Sequence, residues 1–198
     1  MPPPGRRRGR PAVVDRDRIA VAALEVGPGS LTLTAVAAHL GVHHSTLYGH
    51  VRDRDDLLAA AADRLAREAD WPRAGIGWRE LLTAWGDTFW ELAGRRPGAA
   101  ELIRSLPAPP AAVVAEVGRV RADLERHGFA PADALVALDM VADLALDTAA
   151  ALEGLDRAAQ DRAWRDDPGM RGLIAAPRGA YPVKLAIVLD GLAARLSR

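Results

Sequence analysis

Apolar residues recur along most of the chain with a helical period, and this pattern constrains the fold more than any other feature. Trp78, Leu81, Leu82, Trp85, Phe89 and Leu92 form one such stripe. Leu57, Leu58, Ala61 and Leu65 form a second, and Val113, Val117, Val120 and Leu124 a third. Residues three and four apart share a helix face, whereas a half-buried strand alternates at every second residue. No convincing strand and no internal repeat stand out, so the fold is predicted to be all-α. Hydrophobic residues make up 49% of the 198, enough for a sizeable core. Cysteine is absent, which excludes disulfides and thiolate metal sites. No apolar run reaches membrane-spanning length without a charge or proline. The basic start leads into no hydrophobic segment of the secretory kind. A cytoplasmic protein without a membrane partner is expected.

The breaks between stripes divide the chain. Residues 1–14 combine prolines, glycines and arginines and read as a flexible basic arm. A helix is predicted from Asp15 as N-cap to Val26, broken by Gly27 to Ser30. Thr32 caps a second helix that ends at Gly41. A short third helix follows at about 44–50, and a longer one at about 55–69. The span 72–77 separates a small head, residues 15–70, from a larger helical body, residues 71–198. In the body, helices are predicted at 78–92, 98–106, 113–126, 131–152 and 183–196. Gly154 to Pro177 reads as a mobile loop with a turn or two of helix near 158–164.

The neutral net charge hides an asymmetry. Residues 1–54 carry eight arginines against four acids, a net of +4 that leaves −4 for the remainder. A basic end on an acidic body suits a protein that presents one end to a polyanion. That end contains two short helices joined by a tight turn, which must pack closely. Ala37 supplies the small crossing residue, Gly41 the turn, and Val42, Leu47 and Val51 the apolar anchors. The outward positions of the second helix, His44, Ser45, Thr46, Tyr48 and His50, are small or hydrogen-bonding. This is a helix-turn-helix whose second element can enter a major groove.

Thr46-Leu47-Tyr48-x-His50-Val51, followed by Asp53-Arg54-Asp55-x-Leu57-Leu58, resembles the recognition signature of the tetracycline-repressor (TetR) family. The resemblance covers roughly residues 15–70. It implies that His44, Ser45 and Thr46 approach bases, that Tyr48 and His50 hold phosphates, that Thr32 caps the second helix against the DNA backbone, and that Arg54 neutralises a phosphate. A base-reading arginine of that family is Thr34 here, and a tryptophan after the tyrosine is Gly49, so a different operator is expected. Arg8-Gly9-Arg10-Pro11 also resembles an AT-hook core, which fits a narrow A·T minor groove. The plainer reading is a basic tail that adds salt-sensitive attraction to phosphates.

The body resembles the C-terminal domain of the same family more weakly, through His127-Gly128-Phe129 and Leu185 to Leu192. The resemblance implies a homodimer joined by a four-helix bundle, and helices 131–152 and 183–196 carry more apolar surface than one chain can bury. A two-fold operator would have half-sites one helical turn apart, ~34–36 Å. A ligand pocket is predicted among the body helices, lined by Trp85, Phe89, Leu102, Leu106, Val117 and Met140, although each is equally a plain core position. Asp139, Asp143 and Asp147 lie on one face of an apolar helix, where carboxylates need partners or water. They form either a wet seam paired with arginines or, through Asp139 and Asp143, a site for an apolar or aromatic effector carrying a cationic group. The family's drug-binding histidine and asparagine match Asp70 and Trp85, and its metal-ligating histidine falls at Ile103. Neither a metal nor any other cofactor is therefore expected.

No nucleophile–base pair, paired catalytic carboxylates or phosphate-cradling glycine loop is present, so enzyme chemistry is not expected. The predicted function is a ligand-released transcriptional repressor bound as a homodimer to double-stranded operator DNA. Ligand in the body would act by moving the helix at 55–69. The competing reading is a helical carrier that binds small molecules without operator specificity.

Overall fold

The computed structural model describes residues 14–95 and 98–197, and among them there is no strand. The head is built from α1 (Arg16–Val26), α2 (Leu33–Leu40), a 3₁₀ segment (His44–Gly49) and α3 (Arg54–Arg67). Local signals fix each start. Asp15 accepts the Arg18 N–H at 2.8 Å, Thr32 the Ala35 N–H at 3.0 Å, and Asp53 the Asp56 N–H at 2.8 Å. Such caps contribute about 1 kcal/mol each. Gly41 ends α2 in the left-handed region at φ 67°, which a residue with a Cβ adopts only at a cost.

α3 packs along α1 through Ile19, Ala23, Leu57 and Ala61, all buried. Ion pairs fasten the same helices: Arg64 to Asp17 at 2.5 Å, Arg67 to Asp17 at 3.2 Å, and Arg16 to Asp56. The Arg16 guanidinium, hydrogen-bonded to Asp56, holds that carboxyl well below the usual carboxylate range, with further help from the Arg52 N–H and side chain. A carboxyl depressed in the folded state stabilises fully above its unfolded value, ~3.9, and less as pH falls below it. Asp56→Asn is therefore expected to lower the melting temperature by several degrees at pH 7. The difference from wild type should shrink below about pH 4, measurable by circular dichroism across pH.

The body comprises α4 (Trp78–Gly94), α5 (Ala99–Arg104), α6 (Ala111–Arg126), α7 (Pro131–Glu153), α8 (Arg157–Ala163), α9 (Pro168–Ala175) and α10 (Tyr181–Leu196). α4 and α7 form its central pair. They approach closely because Gly86 has no side chain: a Cβ there would stand 2.8 Å from Val141 and 2.1 Å from the Tyr181 hydroxyl. Trp85, one residue earlier, donates its indole N–H to the Leu138 carbonyl at 2.9 Å. The buried core runs without a gap from Ile19 in the head to Leu192 in α10.

Two local expectations need correction. The recognition element is a 3₁₀ segment, with Thr46 N donating to His43 O at 2.9 Å and His50 N to Leu47 O at 2.8 Å. His43 and Ser45 bond locally at its start, which competes with α-helical bonding, and Gly49 closes it. The span 154–177 is not a loop with one helical stretch but holds both α8 and α9. Asp156 caps the first through Ala159 N at 3.0 Å, and Asp167 the second through Met170 N at 2.9 Å, with Pro168 opening α9. No described helix is long and apolar enough to cross a membrane.

Candidate DNA-binding edge and ligand cavity

The 3₁₀ segment rests on Leu47 and Val51, which are buried, and turns its other side chains to solvent. His44, Ser45, Thr46, Tyr48, Gly49 and His50 are all exposed, Tyr48 to 58%. A three-residue period stacks Ser45 over Tyr48 and Thr46 over Gly49, two adjacent rows turned away from the row of the buried Leu47. The edge is braced from within. His43 accepts the Ser45 N–H, and its ring lies 4.6 Å from that of His44, which stands edge-on to Tyr48 at 6.1 Å. Arg16 donates to the His50 carbonyl at 2.7 Å and so ties the end of the segment to α1. Sequence reading missed Arg16, because its partners His50 and Asp56 lie 34 and 40 residues away and leave no local pattern.

The remaining head candidates are placed differently. Thr32 spends its hydroxyl on capping α2, and Thr34 stands exposed on the same helix. Arg54 donates Nε to the Leu31 carbonyl at 3.2 Å, joining the start of α3 to the start of α2. Arg8 and Arg10 lie outside the described residues.

The body holds a cavity of about 630 Å³ between α4, α5, α6 and α7. Trp85, Phe89, Leu106 and Val117 line it, as do Ile103, Leu138 and Leu146. Asp139 and Asp143 belong to the same wall. Neither pairs with a basic side chain among the described residues, whereas Asp147, one turn on, is paired with Arg104. The volume is that of a pocket for a drug-sized molecule, and its two unpaired carboxylates are solvent-exposed acceptors beside an apolar lining.

Three expected lining residues are elsewhere. Leu102 is 3% exposed and packs beneath the head with Leu24, Leu31 and Leu65. It lies on the head side of α5, whereas the next residue, Ile103, faces the cavity. Met140 follows Asp139 on α7 and is turned outward, 45% exposed. Asp70 lines a separate groove on the connector to the body, where its backbone carbonyl accepts from Thr88 at 2.8 Å.

α5 thus has two faces in use, Ile103 and Arg104 on the cavity and Ala99 and Leu102 on the head. Its ends are pinned to α7 by Glu153, which accepts the Gly98 N–H at 2.7 Å, and by the Arg104–Asp147 pair. The Pro28 ring fills the place of a Gly98 side chain, 2.6 Å from where a Cβ would stand. Connector carbonyls are held as well, Glu68 by Arg95 at 3.1 Å and Pro72 by Arg119 at 2.5 Å.

No protein-family profile matches the chain. Among curated proteins it is 30% identical over 185 residues to the class A tetracycline repressor of transposon 1721 from Escherichia coli, covering 86% of this chain and 85% of that one. The chain belongs to the tetracycline-repressor family. An HTH-type transcriptional regulator from Saccharopolyspora erythraea is 28% identical over 170 residues, 82% of this chain and 68% of the relative. The family's fold is also that of ActR from Streptomyces coelicolor, solved in complex with (S)-DNPA. That structure has a TM-score of 0.77 and 22% identity over 92% of this chain and 98% of its own. The protein is therefore a TetR-family transcriptional regulator with an all-α fold.

Proposed function

We propose that the protein is a repressor that binds a palindromic operator as a homodimer and is released by an apolar or aromatic effector bearing a cationic group. The exposed edge 44–50 meets the DNA, with His44, Ser45 and Thr46 toward bases and Tyr48 and His50 toward phosphates. The observation that carries the reading is α5, one short helix bearing on both the cavity and the head. A molecule pressing on Ile103 displaces Leu102 against Leu31 and Leu65, and the head turns on its seat. This relay adds α5 to the helix at 55–69, now α3, as the moving part.

The dimer reading is supported by apolar residues left exposed on two adjoining helices: Met140 on α7, and Val183 and Ile187 one turn apart on α10. Such surface on paired helices suits a self-complementary two-fold contact. The head at 15–70 and the body at 71–198 then divide DNA binding from ligand binding and dimerisation.

Selection of bound sequences from random duplex DNA at near-physiological salt tests this function. A short palindrome should emerge with wild type and be lost in the His44→Ala/Tyr48→Ala double variant. A folded, dimeric protein that enriches no sequence would favour the carrier reading instead.

The effector class has its own test. Tetraphenylphosphonium, an apolar aromatic cation, is expected to quench tryptophan fluorescence by entering beside Trp85. Asp139→Asn/Asp143→Asn should weaken its binding about ten-fold, equivalent to ~1.4 kcal/mol. The neutral triphenylphosphine oxide should bind both proteins alike. Equal weakening for both probes would exclude charge recognition.

A further inference from the structure

The contact between His43 and Ser45 gives a direction to a hydrogen bond at the edge of the head. The backbone N–H of Ser45 points at His43 Nδ1, 3.4 Å away. In this contact Nδ1 is the acceptor, which corresponds to the neutral tautomer with the ring proton on Nε2. The Ser45 hydroxyl lies 2.8 Å from the same nitrogen, and opposite that tautomer it is the donor of the pair. Only the two oxygen lone pairs then remain for Ser45 to present to solvent. The His43 ring is held in this position by the neighbouring His44 ring at 4.6 Å.

A free serine hydroxyl rotates to donate or accept and so discriminates poorly between base edges. A serine whose proton is already committed can only accept. In the major groove the donors are the exocyclic amino groups of adenine and cytosine, while guanine and thymine present acceptors at O6 and O4. We infer that His43 is a positioning residue that makes Ser45 a hydrogen-bond acceptor, and thereby selects adenine or cytosine on the strand Ser45 faces. This rests on the reading that the 44–50 edge meets DNA. His43 itself need not touch a base.

The test uses the full chain and the palindrome selected by the wild type. Ser45→Ala first identifies the base pair whose preference depends on that hydroxyl. At this pair the wild type should favour adenine or cytosine by roughly three- to ten-fold, the worth of one hydrogen bond. His43→Ala should flatten this preference and leave selection at the other pairs intact. His43→Asn should restore it, because an amide oxygen at this capping position can accept from both the N–H and the hydroxyl. Preference kept in His43→Ala, or not restored in His43→Asn, would overturn the inference. So would general loss of binding in His43→Ala, which would make His43 a support of the whole turn, or the absence of any Ser45-dependent pair. Failure of the wild type to select any palindrome is a different result and strikes at operator binding itself.

Discussion

Ile187→Glu is expected to leave the chain folded but monomeric at micromolar concentration, and to weaken operator binding at least about a hundred-fold, equivalent to ~3 kcal/mol. Ile187 is 68% exposed, so the substitution creates no buried charge within one chain. In a two-fold contact the same residue occurs on both sides, and the variant brings two carboxylates into an apolar seam at once. Separate monomers lose the paired half-sites that give a two-fold operator its affinity. Sedimentation velocity reads the first effect and fluorescence anisotropy the second. A variant that stays dimeric would remove α10 from the interface.

Trp85→Ala is expected to destabilise the protein by ~3–5 kcal/mol, a loss of roughly 10 °C or more in melting temperature for a chain of this size. Trp85 is 1% exposed and stands between the core and the cavity. Its ring lies 5.3 Å from that of Trp71 and 5.1 Å from that of Phe89, so removing it unstacks a cluster of three. The Leu138 carbonyl also loses its indole donor. Trp85→Phe keeps a ring and should cost much less. Melting temperatures of the two variants check this order. A Trp85→Ala protein melting within a few degrees of wild type would mean that the cavity wall is not part of the core.

The legible parts of this fold were those decided within one or two turns of helix. Asp15 and Thr32 cap where their side chains predict, and Gly41 closes α2, because capping depends on three or four consecutive residues. The exposed edge was legible too, since Leu47 and Val51 are the only large aliphatic residues between 43 and 51. Positions decided by a distant neighbour were not. Period alone cannot tell which side of α7 faces the cavity and which faces away, so Asp139 was placed in the wall together with its neighbour Met140, which points outward. Leu102 and Ile103 divide in the same way, because α5 has the head on one side and the cavity on the other. α8 was legible near 158–164, but α9 was not, because it contributes no buried residue and its Asp167 cap sits in a strongly charged stretch.

Hydroxyl-radical footprinting on the selected operator tests most directly whether a dimer reads DNA through the 44–50 edge. Two protected patches about one helical turn apart are expected, ~34–36 Å between centres, with both lost in the His44→Ala/Tyr48→Ala variant. A single patch, or two patches that survive that double substitution, would contradict it.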